Sequence, residues 1–228
     1  NGTVVFSNPV SDFLDKNRIQ LKSLFVSDDY SLEIPEGEKG FLDFLADIEE
    51  DTSQMNDEIT AISAGMETMS SGINECTEEI NRVQKSGGNG TAAFVRKQSK
   101  KAASYISEFS KKLKQHTESI QSLWAKIEKN TLGLLENEYA TKPENKESLT
   151  DYIKALHKMM LSIKEANQSV TVMKETSLNN LGIERSMNQS IRFLDQHLSE
   201  YLDMTEQMVE SIERIIGKSR FIIGDAPL

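Results

Sequence analysis

Apolar residues recur along most of this chain at alternating steps of three and four. The clearest run is Phe41, Leu45, Ile48, Thr52, Met55, Ile59, Ile62, Met66, Met69, Ile73, Cys76, Ile80 and Val83. That spacing puts every member on one stripe of a helix, and six heptads in phase predict a helix roughly 65 Å long. The polar stretch SGGNG at 86–90 then breaks the pattern, its glycines permitting a tight reversal.

Three further stripes follow. Ile106, Phe109, Leu113, His116, Ile120, Leu123, Ile127 and Leu134 form the seam of a second helix expected over residues 91–138. After a loop at TKPENKES (141–148), in which Ser148 is a candidate cap, come Leu149, Tyr152, Leu156, Met159, Ile163, Ala166, Val170 and Met173. A fourth seam uses Met187, Ile191, Leu194, Leu198, Tyr201, Thr205, Met208, Ile212 and Ile215. Between the last two, SLNNLGIERS (177–186) keeps the heptad phase but carries turn formers, so a turn is expected in preference to one continuous helix.

Residues 1–40 lack this rhythm. Val4 to Phe6 read as a short extended piece, 12–25 as a short amphipathic helix, and 27–40 as an acidic loop. The expected architecture is all-α: an elongated antiparallel bundle of four long helices with coiled-coil-like seams and a short irregular N-terminal segment. Its divisions are an N-terminal segment (1–40), a long coiled-coil hairpin (41–138) and a second hairpin (147–217) packing on the first as one bundle.

Charge sharpens the first hairpin. Residues 41–85 hold eleven acids and two bases, a net of −9, whereas 86–136 hold four acids and nine bases, a net of +5. A reversal near Gly88 sets Glu75, Glu78 and Glu79 opposite Arg96, Lys97, Lys100 and Lys101. The same register sets Asp47, Glu49, Glu50 and Asp51 opposite Lys126 and Lys129. Exposed pairs contribute only about 0.2–1 kcal/mol each, so they choose register more than they stabilise.

Chemistry is sparse by comparison. His116, His157 and His197 are preceded at three positions by Leu113, Lys154 and Leu194, so no Glu-x-x-His metal pair exists. His116, on the seam, is expected as a hydrogen-bonded core residue. Cys76 is also on the seam, where burial on an acidic helix makes it inert, and as the single cysteine it fits a reducing, cytoplasmic compartment. No cofactor and no catalysis are expected, because no acid–base or nucleophile constellation appears.

Other features read as packing. Met55, Met66, Met69, Met159, Met173, Met187 and Met208 lie on seams and fill an adaptable core. RKQSKK (96–101) and KKLK (111–114), with Tyr105 and Phe109 between, could suit nucleic acid, but they also answer the acidic first helix. A net charge of −10 points away from nucleic acid. Gly65 and Gly72 fall beside the seam, where small residues let another helix come close.

No run of 18 apolar residues occurs, so no membrane span is expected, and a start at Asn1 fits a piece cut from a longer chain. The function expected is a non-catalytic module for protein–protein association or signal relay within a larger multidomain protein. The alternatives are a ligand-sensing domain of a membrane receptor, which leaves room for a small-molecule ligand, and a helical toxin or membrane-remodelling protein. The first hairpin is expected to project beyond the second, leaving Phe41, Phe44, Leu45, Leu134, Leu135 and Tyr139 as an uncovered apolar end. Either the N-terminal segment or a second copy would cover it.

Overall fold

The computed structural model describes residues 41–87, 91–138, 140–180 and 185–225. They form an all-α bundle of four long helices: α1 (Phe41–Ser86), α2 (Thr91–Glu136), α3 (Lys146–Asn180) and α4 (Arg185–Ile223). The N-terminal segment (1–40), the reversal at 88–90 and the loop centre at 181–184 lie outside the described residues.

Local chemistry sets the helix ends. Asp43 in the first turn of α1 and Lys85 in its last complement the helix dipole. Ser86 Oγ donates to the Val83 carbonyl at 2.9 Å, and Gly87, at φ +64, takes the left-handed conformation that stops a helix. Gly224 ends α4 in the same way, at φ +74, its N–H donating to the Arg220 carbonyl at 2.9 Å. Pro143 opens a 3₁₀ turn, Pro143–Asn145, that leads into α3 at Lys146. Ser148 therefore lies within the first turn of α3 instead of capping it.

The seams expected from sequence are the core. Along α1, Ile48, Met55, Ile59, Ile62, Met66, Met69, Ile73, Cys76 and Ile80 are all buried. Ile106, Phe109, Leu113 and Ile120 continue the core on α2, with Leu149, Tyr152, Leu156 and Ile163 on α3 and Leu194, Leu198, Ile212 and Ile215 on α4. Each fully buried side chain of this kind is worth about 1.5–3 kcal/mol, which the short-range helical propensities alone could not supply. Eight methionines are described with their side chains, and all eight are buried, including Met160 and Met204, which the seams had not included. The side chain of Met173 lies outside the described set.

Contacts divide the chain into two compact units, each drawing a segment from every helix. The first comprises the described residues of Ile59–Glu118 and Glu165–Met204. Within it α1 and α2 run antiparallel: Gly65 meets Phe109, Gly72 meets Tyr105, and Glu75 meets Lys101 at 3.8 Å. Ser107 of α2 shares a 2.9 Å hydrogen bond with Ser190 of α4, and Lys174 of α3 reaches Asp195 of α4 at 3.8 Å. That last pair requires the chain to reverse between α3 and α4, as the turn formers at 177–186 imply.

The second unit comprises the described residues of Phe13–Glu58, Ser119–Lys164 and Thr205–Leu228. Here too α1 and α2 are antiparallel, with Phe44 packed on Gly133 and Ser119 Oγ donating to Glu58 at 3.0 Å. Arg214 of α4 donates to Glu128 of α2 at 3.2 Å, and Lys164 of α3 to Glu213 of α4 at 3.2 Å. The hydroxyls of Thr131 and Tyr152 meet at 2.7 Å, joining the end of α2 to the start of α3.

Two positions depart from the seams. His116 is only half-buried, and Thr117 takes its place in the core, donating its hydroxyl to the Leu113 carbonyl at 2.7 Å. Ser190 is likewise buried where Ile191 was expected, with Ile191 half-exposed. Leu113 and Ile120 on either side stay buried, as do Met187 and Leu194, so each departure is a local exchange of a three-residue and a four-residue step, both of which return to the same helix face.

Candidate functional site

The second unit carries an open groove of ≈ 980 Å³ between α1 and α2. Phe44, Asp47, Glu50, Asp51 and Gln54 form its α1 wall. Steps of three and four separate these residues, so one face of α1 looks into the groove. Ala125, Glu128, Lys129, Leu132, Gly133 and Glu136 repeat the same spacing on α2, joined by Lys126 and Asn130.

Phe44 shapes the groove's end. A methyl group at Gly133 would stand 2.5 Å from Cε1 of the Phe44 ring, so only glycine lets the ring settle there. The walls are charged but unequal. The α1 wall has three carboxylates and no cation, whereas Lys126 and Lys129 both stand on α2. Glu128 is engaged by Arg214 at 3.2 Å, and Glu50 accepts from Gln54 Nε2 at 3.3 Å. Asp51 and Asn130 are each only 9% exposed, which anchors the groove floor in polar groups.

Of the residues expected at an uncovered apolar end, Phe44 lines this groove and Leu45 is half-buried beside it in sequence. Leu134 and Leu135 are different: at 0% and 7% exposure they belong to the core. Near them the hydroxyl of Thr131 meets that of Tyr152 of α3, itself buried, and the N-terminal segment expected to cover this end lies outside the described residues. The side chain of Phe41 and all of Tyr139 lie outside the described residues.

Reactive groups elsewhere are sealed or engaged. Burial pushes the Cys76 thiol above its ordinary pKa, despite the nearby Lys101. His197 Nδ1 sits 3.0 Å from Glu200, a contact that holds that carboxyl below its usual range. Phe109 is buried against Gly65 and Tyr105 packs on Gly72, so the aromatics within the basic stretch serve the α1–α2 contact. Among the described residues no group of three or more His, Cys, Asp or Glu is arranged to hold a metal, and no helix is long and apolar enough to cross a membrane.

The polar groove residues were legible only as ion-pair partners. Their one sequence signal is the pair of small residues Ala125 and Gly133 on the α2 face turned toward α1. Comparison with protein-family models, curated proteins and solved structures finds no match to this chain.

Proposed function

We propose that this bundle is a non-catalytic protein–protein association module of a larger protein, with the α1–α2 groove as its contact face. The groove itself carries the reading. It combines a half-buried aromatic ring with charged walls on two rigid helices, whereas the apolar seams are consumed by the core. Contact faces of this composition, an aromatic anchor within a polar rim, are the usual form of a non-obligate interface. The thiol that might otherwise have suggested covalent chemistry is buried at 1% exposure.

Site-specific photocrosslinking in the producing cells tests this. A photoreactive residue at Gln54, inside the groove, is expected to yield a discrete protein adduct, and one at exposed Glu67, on the same helix, is not. Equal labelling at both positions, or none at Gln54, would remove the groove as a contact face.

A further inference from the structure

Away from the groove, we infer that the chain's own acidic stretch 27–40 docks on a cationic face of α3 and α4 in the second unit. From Tyr152 to Lys164 the sequence holds three lysines and no acid, and from Arg214 to Gly224 it holds three basic residues and no acid. These two runs stand out in a chain of net charge −10. Lys164 joins them by reaching Glu213 at 3.2 Å. Because the chain reverses between α3 and α4, the residues before Lys164 run beside those after Glu213. Lys158 and Lys218 therefore come level, each about 8 Å beyond that ion pair.

Steps of three and four put Lys154, Lys158 and Leu161 on one exposed face of α3, and Arg214, Lys218 and Phe221 on one of α4. Leu161 is 50% exposed and Phe221 95%. Arg214 is engaged with Glu128, whereas Lys154, Lys158, Lys218 and Arg220 form no ion pair among the described residues. Such a face calls for an occupant that is acidic and also carries apolar side chains. Residues 27–40 have that composition: Asp28, Asp29, Glu33, Glu36 and Glu38 against Lys39 alone, with Tyr30, Leu32 and Ile34 among them. Residues 1–26, by contrast, hold two acids and three bases. The acidic stretch is also tethered close by. It joins α1 at Phe41; Phe44 packs on Gly133 of α2, and Arg214 reaches Glu128 of that same helix. Those two α2 positions are only about 7.5 Å apart, and the stretch can span roughly 45 Å. Tethering gives an effective concentration on the order of millimolar, which favours this occupant over a separate acidic protein or a second copy.

Photocrosslinking on the full chain tests the assignment, with a photoreactive phenylalanine analogue in place of Phe221, whose exposure lets the exchange leave the core untouched. In dilute purified protein the expected product is a link within one chain, mapped by mass spectrometry to residues 27–40. Asp28→Asn, Asp29→Asn, Glu33→Gln, Glu36→Gln and Glu38→Gln together should lower its yield at least about fivefold, and high salt should lower it too. The same analogue at exposed Gln121 of α2 should give no such link. An undiminished yield in the neutralised variant, equal labelling from Gln121, a link elsewhere in the chain, or no link at all overturns the inference. So does a product of dimer mass, which would make the occupant a second copy, or capture of a separate protein at Phe221 in the producing cells in place of residues 27–40.

Discussion

Gly72 and Gly133 perform the same task in different units, and the atoms above them differ. A methyl at Gly72 would meet Cδ2 and Cε2 of Tyr105 at 2.6 Å and Cγ at 2.7 Å, an edge that reaches the root of the ring. At Gly133 it would meet Cε1 and Cζ of Phe44, at 2.5 and 2.8 Å, the tip of the ring. Rotation about χ1 moves a ring's tip farther than its root, so the contact at Gly133 is the easier to relieve. Gly72 is buried beside the Glu75–Lys101 pair, and Gly133 is half-buried at the edge of the groove. The same device therefore makes a tighter, buried contact in the first unit and a more easily relieved one at the edge of the groove in the second.

The largest expected effect is a disruption of the first unit's core. Ile73→Asp puts a charge at a site with 1% exposure, and should cost about 4 kcal/mol or more, enough to abolish a cooperative thermal transition in that unit. If circular dichroism shows an unchanged melt, the buried seam of α1 is wrong.

Alkali compares the two units through their buried phenols. Burial pushes Tyr201, in the first unit, up to about 12, and raises Tyr152, in the second, further despite its bond to Thr131. An unfolded tyrosine titrates near about 10, so the folded chain keeps these protons where the unfolded chain releases them. The stability they contribute is intact below pH about 10 and is lost as the pH climbs through about 12. Tyrosinate absorbance should therefore appear in two stages, the second coinciding with loss of helicity. A single early stage would place both rings in water.

Gly72→Ala and Gly133→Ala test the root-against-tip contrast directly. Alanine gains about 1 kcal/mol of helix propensity at either site. Overpacking costs about 1–3 kcal/mol where the neighbour has little room, so Gly72→Ala should be destabilising by up to about 2 kcal/mol net. Gly133→Ala should fall within about 0.5 kcal/mol of neutral, since Phe44 can turn toward the groove. Denaturant midpoints for both variants decide the order; equal losses would erase the distinction.

The sequence's legible and illegible parts follow from the same physics. Thirteen positions in phase left little freedom for α1, and a reversal near Gly88, supported by the opposite net charges of the first two helices, was enough to pair Glu75 with Lys101. The replacement of His116 by Thr117 was hidden because a three-residue and a four-residue step can change places without shifting the seam, and because a threonine that returns its hydroxyl to a carbonyl can be buried. Ser219, which donates to the Ile216 carbonyl at 2.8 Å, escaped for the second reason, and buried Ser99 and Ser110 escaped because a scan for apolar residues passes over small hydroxyls. The groove was illegible on different grounds. Its walls are ordinary surface charges, and only the seating of Phe44 on Gly133 tells how closely α1 and α2 approach there.

The solitary thiol at Cys76 has a use as an internal clock. It is shut inside the first unit at 1% exposure, and its proton is held more firmly than that of a free cysteine. A thiol-trapping reagent can therefore reach it only during openings of the surrounding helices. When reclosing outpaces trapping, the labelling rate is the intrinsic thiol rate scaled by the fraction of time spent open, and when trapping is faster it becomes the opening rate itself. Cys76 is thus a single-site stopwatch for breathing of the seam, readable without any substitution in the sequence.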